Sequence, residues 1–288
     1  MSTNSLIPTV GIHHNIPAEV YHSWQALSHS WLSRLRISPA HLFDLMTNGP
    51  DGSTSSQAFG TAVHCAVLER DTFDTRYAVR PEGQNGVTKE GKAFKAEAEA
   101  TGRAVLSHEE GRWCEAVARR ARENRRVSEW LARPHDTEVS IVWERGGYLC
   151  KARLDMMVPG INIIADLKTT FTADPDGFAR QITKYHYHTQ GAWYAEGLRA
   201  VTGQDWTFNI IAVEKRRPFL VTVHELVRGD AAHSVAVTEC DKLFMLYTEC
   251  CKAGHWPGYG DIFPITLPEW AMVEAGEQEE SFESEIGL

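Results

Sequence analysis

Two aspartates and a lysine stand in the segment KARLDMMVPGINIIADLKTT, residues 151–170, at a spacing that could bring them together. A hairpin turning between Gly160 and Ile161 pairs residues whose numbers sum to 321, and Asp155 with Asp166 meets that condition. Cross-strand neighbours lie ~5 Å apart at Cβ and side chains alternate along a strand, so Asp155, Asp166 and Lys168 are expected on one face. Two ionised carboxylates that close repel each other unless a cation sits between them. Magnesium, with manganese as a substitute, suits such a site: the aspartates, the backbone carbonyl of Leu167 and waters could complete an oxygen shell. Lys168 could orient or deprotonate a bound water, or steady negative charge on a phosphate. The competing reading is a surface ion pair between Asp166 and Lys168. Against it, Asp166 interrupts the apolar run Ile161, Ile163, Ile164, Ala165, Leu167, where an unpaired carboxylate would be expensive.

Two further groups could join these three. His64 sits on an expected helix over residues 58–70, one turn after Gly60, where the glycine would permit close backbone approach. By itself a histidine there is more often a hydrogen-bonded core residue, and Glu69 reads as surface. Gln190 and Tyr194 are one helical turn apart in QGAWYAEGL and could donate hydrogen bonds to a phosphate or near the lysine; helix packing by Trp193 and Tyr194 explains the spacing as well.

The elements that must position these residues follow from periodicity and punctuation. Ser28 or Ser30 could cap a helix through Trp31, Leu32 and Leu35, with Ser38-Pro39 closing it before a second short helix. Residues 48–56 read as a loop, residues 81–91 as a polar surface loop, and residues 92–131 as two charged helices broken near 102–108, a helical insertion spanning about 81–132. Alternation predicts strands over 138–144, 148–157 and 161–168, a three-stranded antiparallel meander. A helix over 177–200, strands over 206–213 and 219–226, and a closing helix over 230–252 complete an α/β (α+β) core, a central mixed sheet flanked by helices. No internal repeat is present; the chain reads as a single domain over residues 1–268 with an acidic tail over 269–288.

Composition narrows the function classes. The chain has 288 residues, 43% hydrophobic, enough for a full core. No apolar stretch reaches eighteen residues and residues 1–17 lack a secretory pattern, so a cytoplasmic location is expected. Its six cysteines show no CxxC pair or zinc-type spacing, which predicts reduced thiols and leaves no obvious ligand set for an iron-sulfur cluster. Among thirteen histidines no HxD pair suits a mononuclear iron oxygenase. The net charge of −9 opposes a nucleic-acid partner, but six glutamates lie between Glu274 and Glu285, and basic residues cluster at Arg119, Arg120, Arg122, Arg125, Arg126 and at Lys215, Arg216, Arg217. A solvated helix face is the commoner explanation of the first cluster; DNA contact by some of either cluster is the sharper expectation.

Taken together, Asp155 followed by Asp166-Leu167-Lys168, with His64 upstream and Gln190/Tyr194 downstream, resembles the RecB-like branch of the PD-(D/E)xK nucleases. LSHSWLSRLRISPAHL (27–42), FGTAVHCAVLE (59–69), EVSIVW (138–143) and IADLKTT (164–170) resemble more closely the RecE (exodeoxyribonuclease VIII) nuclease domain, over roughly residues 16–264. That resemblance implies a restriction-endonuclease-like core and a processive, magnesium-dependent exonuclease that degrades the 5′-ended strand of duplex DNA. The 3′ overhang it leaves would pass to a RecT-like annealing protein in DNA recombination. It further implies a homotetrameric ring around the DNA and a phage or prophage origin. By residue, it makes His64, Asp155, Asp166 and the Leu167 carbonyl metal ligands, Lys168 the catalytic lysine, and Gln190 and Tyr194 supports of the site. A second metal could share the aspartates when DNA is bound. A Cas4-like nuclease acting on single strands or internally, and a catalytically silent DNA-binding scaffold, are the alternatives.

Overall fold

Apolar alternation in the middle of the chain produces the sheet. The structure, a computed structural model, describes residues 7–49, 55–260 and 265–266, without the side chains of 55–57. Strands β1 (Gly11–His13), β2 (Leu27–Ser28), β3 (Tyr77–Val79), β4 (Ala104–Leu106), β5 (Asp136–Arg145), β6 (Tyr148–Val158), β7 (Ile163–Thr170), β8 (Thr207–Glu214) and β9 (Val221–Leu226) are present. Helices α1 (Ala18–Ser23), α2 (His29–Ile37), α3 (Pro39–Asn48), α4 (Ser55–Leu68), α5 (Arg70–Arg76), α6 (Lys89–Ala100), α7 (His108–Glu123), α8 (Arg125–Leu131), α9 (Pro175–Lys184), α10 (Tyr187–Thr202) and α11 (Ala231–Ala253) accompany them. All belong to the unit Met1–Trp256; Pro257–Leu288 forms a second unit. The acidic tail over 269–288, and most of the expected 48–56 loop, lie outside the described residues.

The main sheet runs β1-β5-β6-β7-β8-β9, with β2 beside β6. β5, β6 and β7 form the expected antiparallel meander. β7 and β8 are parallel, joined by the crossover through α9 and α10, and β9 returns antiparallel. The sheet is therefore mixed and covered on two sides. One face packs under α2, α3, α10 and α11, with Leu35, Trp143, Trp193 and Phe208 among its buried side chains. The other lies under α4, α7 and α8, with Val63, Val117, Trp130 and Ile211. Fully burying an aliphatic or aromatic side chain of this size contributes about 1.5–3 kcal/mol.

Two close approaches fix α10 on the sheet. A Cβ at Gly191 would lie 2.3 Å from Phe208 Cδ1, and one at Gly197 2.6 Å from Trp143 Cζ3. Only glycine lets the helix backbone come this near. Lys151 ties the N-terminal region to β6: its buried ammonium donates to the carbonyls of Tyr21 and Trp24 at 2.8 and 2.7 Å, and burial pushes its pKa down to about 8.

Several boundaries differ from expectation. The single helix over 177–200 is two, α9 and α10, because His186 takes a left-handed conformation at φ 55° and breaks the run. The two charged helices over 92–131 are three, since Asn124 ends α7 and caps α8 by accepting from the amides of Arg126 and Val127. Strands β3 and β4 pair in parallel beside them. Ser28, the first of the two candidates, caps α2, and Ser38 caps α3 with Pro39 in its first turn. Strands β1 and β2 are too short to show a two-residue period in sequence. No helix among the described residues is long and apolar enough to cross a membrane.

Candidate active site

The β6–β7 register is the one the hairpin arithmetic gives: Met156 with Ala165, Met157 with Ile164, Val158 with Ile163. The ladder stops there. Beyond the last pair the Leu167 amide donates to the Asp155 carboxylate, Oδ2 at 2.8 Å. On the α4 side, His64 Nδ1 lies 3.3 Å from Asp155 Oδ2. On the α10 side, Asp166 Oδ1 accepts from Gln190 Nε2 at 2.7 Å, and its Oδ2 faces Lys168 Nζ at 2.5 Å.

His64 reaches its place from the middle of α4, whose neighbouring residues Val63 and Ala66 are buried against the sheet. Its Nε2 is 2.7 Å from the Leu167 carbonyl. A carbonyl only accepts, so Nε2 carries a hydrogen there. In the neutral ring, Nδ1 then presents a lone pair to a carboxylate oxygen, an arrangement that needs a proton or a cation between the two. Burial and the Asp166 charge push the Asp155 pKa up to about 6, while His64 and Lys168 act in the opposite sense. Burial alone would lower the Lys168 ammonium, but Asp166 and Asp155 outweigh it and hold its pKa above the ordinary lysine value. The site thus holds two carboxylates at a real electrostatic cost, with a lysine kept charged beside them.

Gln190 also approaches Tyr194: its Nε2 lies 3.0 Å from the Tyr194 hydroxyl. The two residues are one turn apart on α10 and touch each other, and Gln190 also holds Asp166. Gly60 is not a close-approach glycine, since a Cβ there would meet Thr169 Oγ1 at an ordinary 3.8 Å. Glu69 is not a free surface acid: its side chain is 13% exposed and takes both oxygens to Arg76, at 3.1 and 2.7 Å.

Two neighbours were not anticipated. Glu138 joins His64 and Asp155 in a group whose ligand atoms all lie within 4.8 Å of one another. Thr137 pairs with Met156 and Val139 with Leu154, which sets Glu138 across from Asp155. A turn centred on Gly146-Gly147 would have given this pairing from sequence, but the left-handed backbone at Glu138, φ 53°, has no sequence signature. Arg153 Nε holds its carboxylate at 2.6 Å. The second neighbour is Tyr187, whose ring centroid lies 5.1 Å from Lys168 Nζ; it precedes the Gln190/Tyr194 pair by less than one turn.

The residues present fit a divalent cation. Asp155, Asp166 and the Leu167 carbonyl supply hard oxygen donors and His64 an imidazole. A bound cation would also remove the repulsion that raises Asp155. His64 and the Leu167 carbonyl already touch, so a cation held by both would replace their hydrogen bond.

Away from this centre, Arg119 and Arg120 of α7 and Arg217 of the β8–β9 turn line a cavity of about 670 Å³ with Trp113 and Phe219. Arg119 and Arg120 also share Glu123, and Arg125 and Arg126 share Glu129. Phe171, just beyond the Asp166/Lys168 strand, is 67% exposed, with Lys215 Nζ and the Arg216 guanidinium 5.7 and 5.1 Å from its ring centroid. All six cysteines are free thiols.

No curated protein matches the sequence. Among solved structures, a protein from Eubacterium rectale provisionally named an exonuclease is 14% identical; the match covers 90% of this chain and 98% of that one, with a TM-score of 0.59. At that identity the likeness shows a shared fold. A second structure, SSO0001, is 19% identical over 39% of this chain and 50% of that one, with a TM-score of 0.28, too low to inform the fold. The sequence profile of the PDDEXK-like domain of unknown function DUF3799 matches residues 28–263, the span that carries strands β5 to β9, His64 and the whole Asp-Asp-Lys cluster. This chain belongs to that PDDEXK-like family.

Proposed function

We propose that the protein is a magnesium-dependent exodeoxyribonuclease that enters at duplex ends, degrades the 5′-ended strand and leaves 3′ single strands for recombination. One observation carries the reading: His64, Asp155, Asp166 and Lys168, from three separate elements, meet at the gap between β6 and β7. Bound by His64, Asp155, Asp166 and the Leu167 carbonyl, magnesium would polarise the phosphodiester and lower the pKa of a water. Lys168, held charged by Asp166, stands where it can orient that water and offset charge on the phosphate. Gln190, which also bonds the Tyr194 hydroxyl, holds the Asp166 carboxylate. Glu138 of β5, its carboxylate held by Arg153 of β6, stands beside Asp155.

The DNA path in this reading uses basic residues gathered by the fold. Arg119, Arg120 and Arg217 face one cavity, and Lys215 and Arg216 flank the exposed Phe171 ring, a combination of cation and aromatic suited to a single strand leaving the site. A ring-shaped tetramer and a single-strand annealing protein as recipient of the product belong to the same proposal; the first is checked by the mass of the protein in solution. The decisive experiment is digestion of linear duplex DNA labelled at the 5′ or the 3′ end, beside closed circles, with and without magnesium. Magnesium-dependent release of the 5′ label with circles intact supports the proposal. Cutting of circles, or no products with magnesium present, refutes it.

A further inference from the structure

The break between α9 and α10 gathers a second set of metal-binding groups. His186 lies at the left-handed residue that starts α10, His188 follows in its first turn, and Glu239 faces both from α11. Their three ligand atoms all lie within 4.8 Å of one another. His186 Nδ1 is 3.6 Å from Glu239 Oε1, and His188 Nε2 is 3.5 Å from Oε2. Those distances are too long for hydrogen bonds. They match the separation of ligands that share one tetrahedral ion: with metal bonds of ~2.0–2.1 Å, neighbouring donor atoms stand ~3.3–3.4 Å apart. His186 Nδ1 is buried and makes no hydrogen bond to any described residue. A non-glycine residue at positive φ marks a backbone held in place by its surroundings.

We propose that His186, His188 and Glu239 bind a zinc-class transition-metal ion that staples the first turn of α10 to α11. Two imidazoles and one carboxylate, with a fourth position for water, select zinc or cobalt over magnesium, which the oxygen-rich centre between β6 and β7 suits. Arg36 Nε donates to Glu239 Oε1 at 2.7 Å and supports the carboxylate from behind. Its positive charge, and the positive end of α10, oppose the cation, and affinity is correspondingly moderate. Nearby, His29 Nε2 is 2.9 Å from Thr189 Oγ1, and burial first, then Arg36, push its pKa down to about 3, so it adds no charge.

The staple has a role in positioning. Tyr187, between the two histidines, places its ring over Lys168, and Gln190, less than a turn further on, holds Asp166. Fixing this turn fixes two groups that set the lysine and the acid.

The test uses the full chain stripped with chelator and returned to excess magnesium, which fills the catalytic centre. Cobalt(II) is titrated by visible absorption and zinc by calorimetry. One equivalent should bind, with tetrahedral cobalt bands, in the parent and in Asp155→Asn. It should be lost in His186→Ala/His188→Ala and in Glu239→Gln, the latter conservative in size, with folding of each variant checked by circular dichroism. The proposal is overturned by absence of uptake in the parent. It is equally overturned if uptake persists in a folded variant of the triad, or if it disappears in Asp155→Asn and so belongs to the other centre.

Discussion

Replacing Asp155 by asparagine should stabilise the protein while removing its response to magnesium. In the folded chain the Asp155 pKa is pushed up from 3.8 to about 6 by burial and by Asp166. The folded state therefore keeps a proton that the unfolded chain has already released. Between pH ~4 and ~6 the native state binds more protons than the unfolded state, and stability falls as pH rises through that window. A shift of about two units at about 1.4 kcal/mol each sets an upper limit of about 3 kcal/mol on the cost at pH 7.5. Asparagine keeps an oxygen to accept from the Leu167 amide, the bond Asp155 makes at 2.8 Å, and carries no charge to bury. Partial relaxation around the cleft leaves an expected gain of about 1–2 kcal/mol, or roughly 2–8 °C in Tm for a chain of this size. The assay is thermal unfolding in chelator and in magnesium, from pH 5 to 8. In chelator the variant should melt above the parent, and the difference should widen from pH 5 to 7. In magnesium the parent should rise, by about 2.7 kcal/mol at a hundred times its Kd, and the variant should not. An Asp155→Asn chain that melts at or below the parent in chelator throughout, or gains as much from magnesium, would show that the carboxylates store no such repulsion and share no ion.

Three other outcomes follow from the geometry of the site and its surface. Lys168→Gln should abolish cleavage while leaving the fold intact, as read by labelled-duplex digestion and circular dichroism; parental activity in the variant removes the lysine from the chemistry. Gln190→Leu strips the Asp166 Oδ1 of its 2.7 Å donor and should weaken magnesium binding about 10–100-fold, measured by the magnesium dependence of Tm, whereas an unchanged dependence would make Gln190 a packing residue. Charge reversal at Arg119, Arg120 and Arg217 together should reduce the slope of log affinity for duplex DNA against log salt by ~0.9 for each phosphate that the variant no longer neutralises; an unchanged slope would place the DNA elsewhere.

Much of this site was legible in the sequence because it depends on short-range geometry. A turn at Gly160 fixes a register, a register fixes which residues oppose each other, and the observed pairs of β6 and β7 obey it. The apolar run around Asp166 likewise announced a buried acid, and Asp166 is 1% exposed. His64 was weaker, since nothing local says where a helix will dock. Glu138 and Tyr187 were missed for a related reason: each enters through a left-handed residue, at Glu138 itself and at His186, whose backbone conformation is imposed by surrounding packing rather than by residue type.

By itself the sequence determined the meander, the order of helices and strands after it, and the presence of two acids and a lysine on adjoining strands, all consequences of a two- or 3.6-residue period and of glycine and proline turns. Only the tertiary structure decided that the β6–β7 ladder breaks at Asp155, that Gln190 rather than solvent meets Asp166, and that α10 comes close enough through Gly191 and Gly197 to deliver it. The physical reason is range. Periodicity records the face a side chain presents to its own element, whereas the partner that waits there is set by how two layers of helices pack on one sheet.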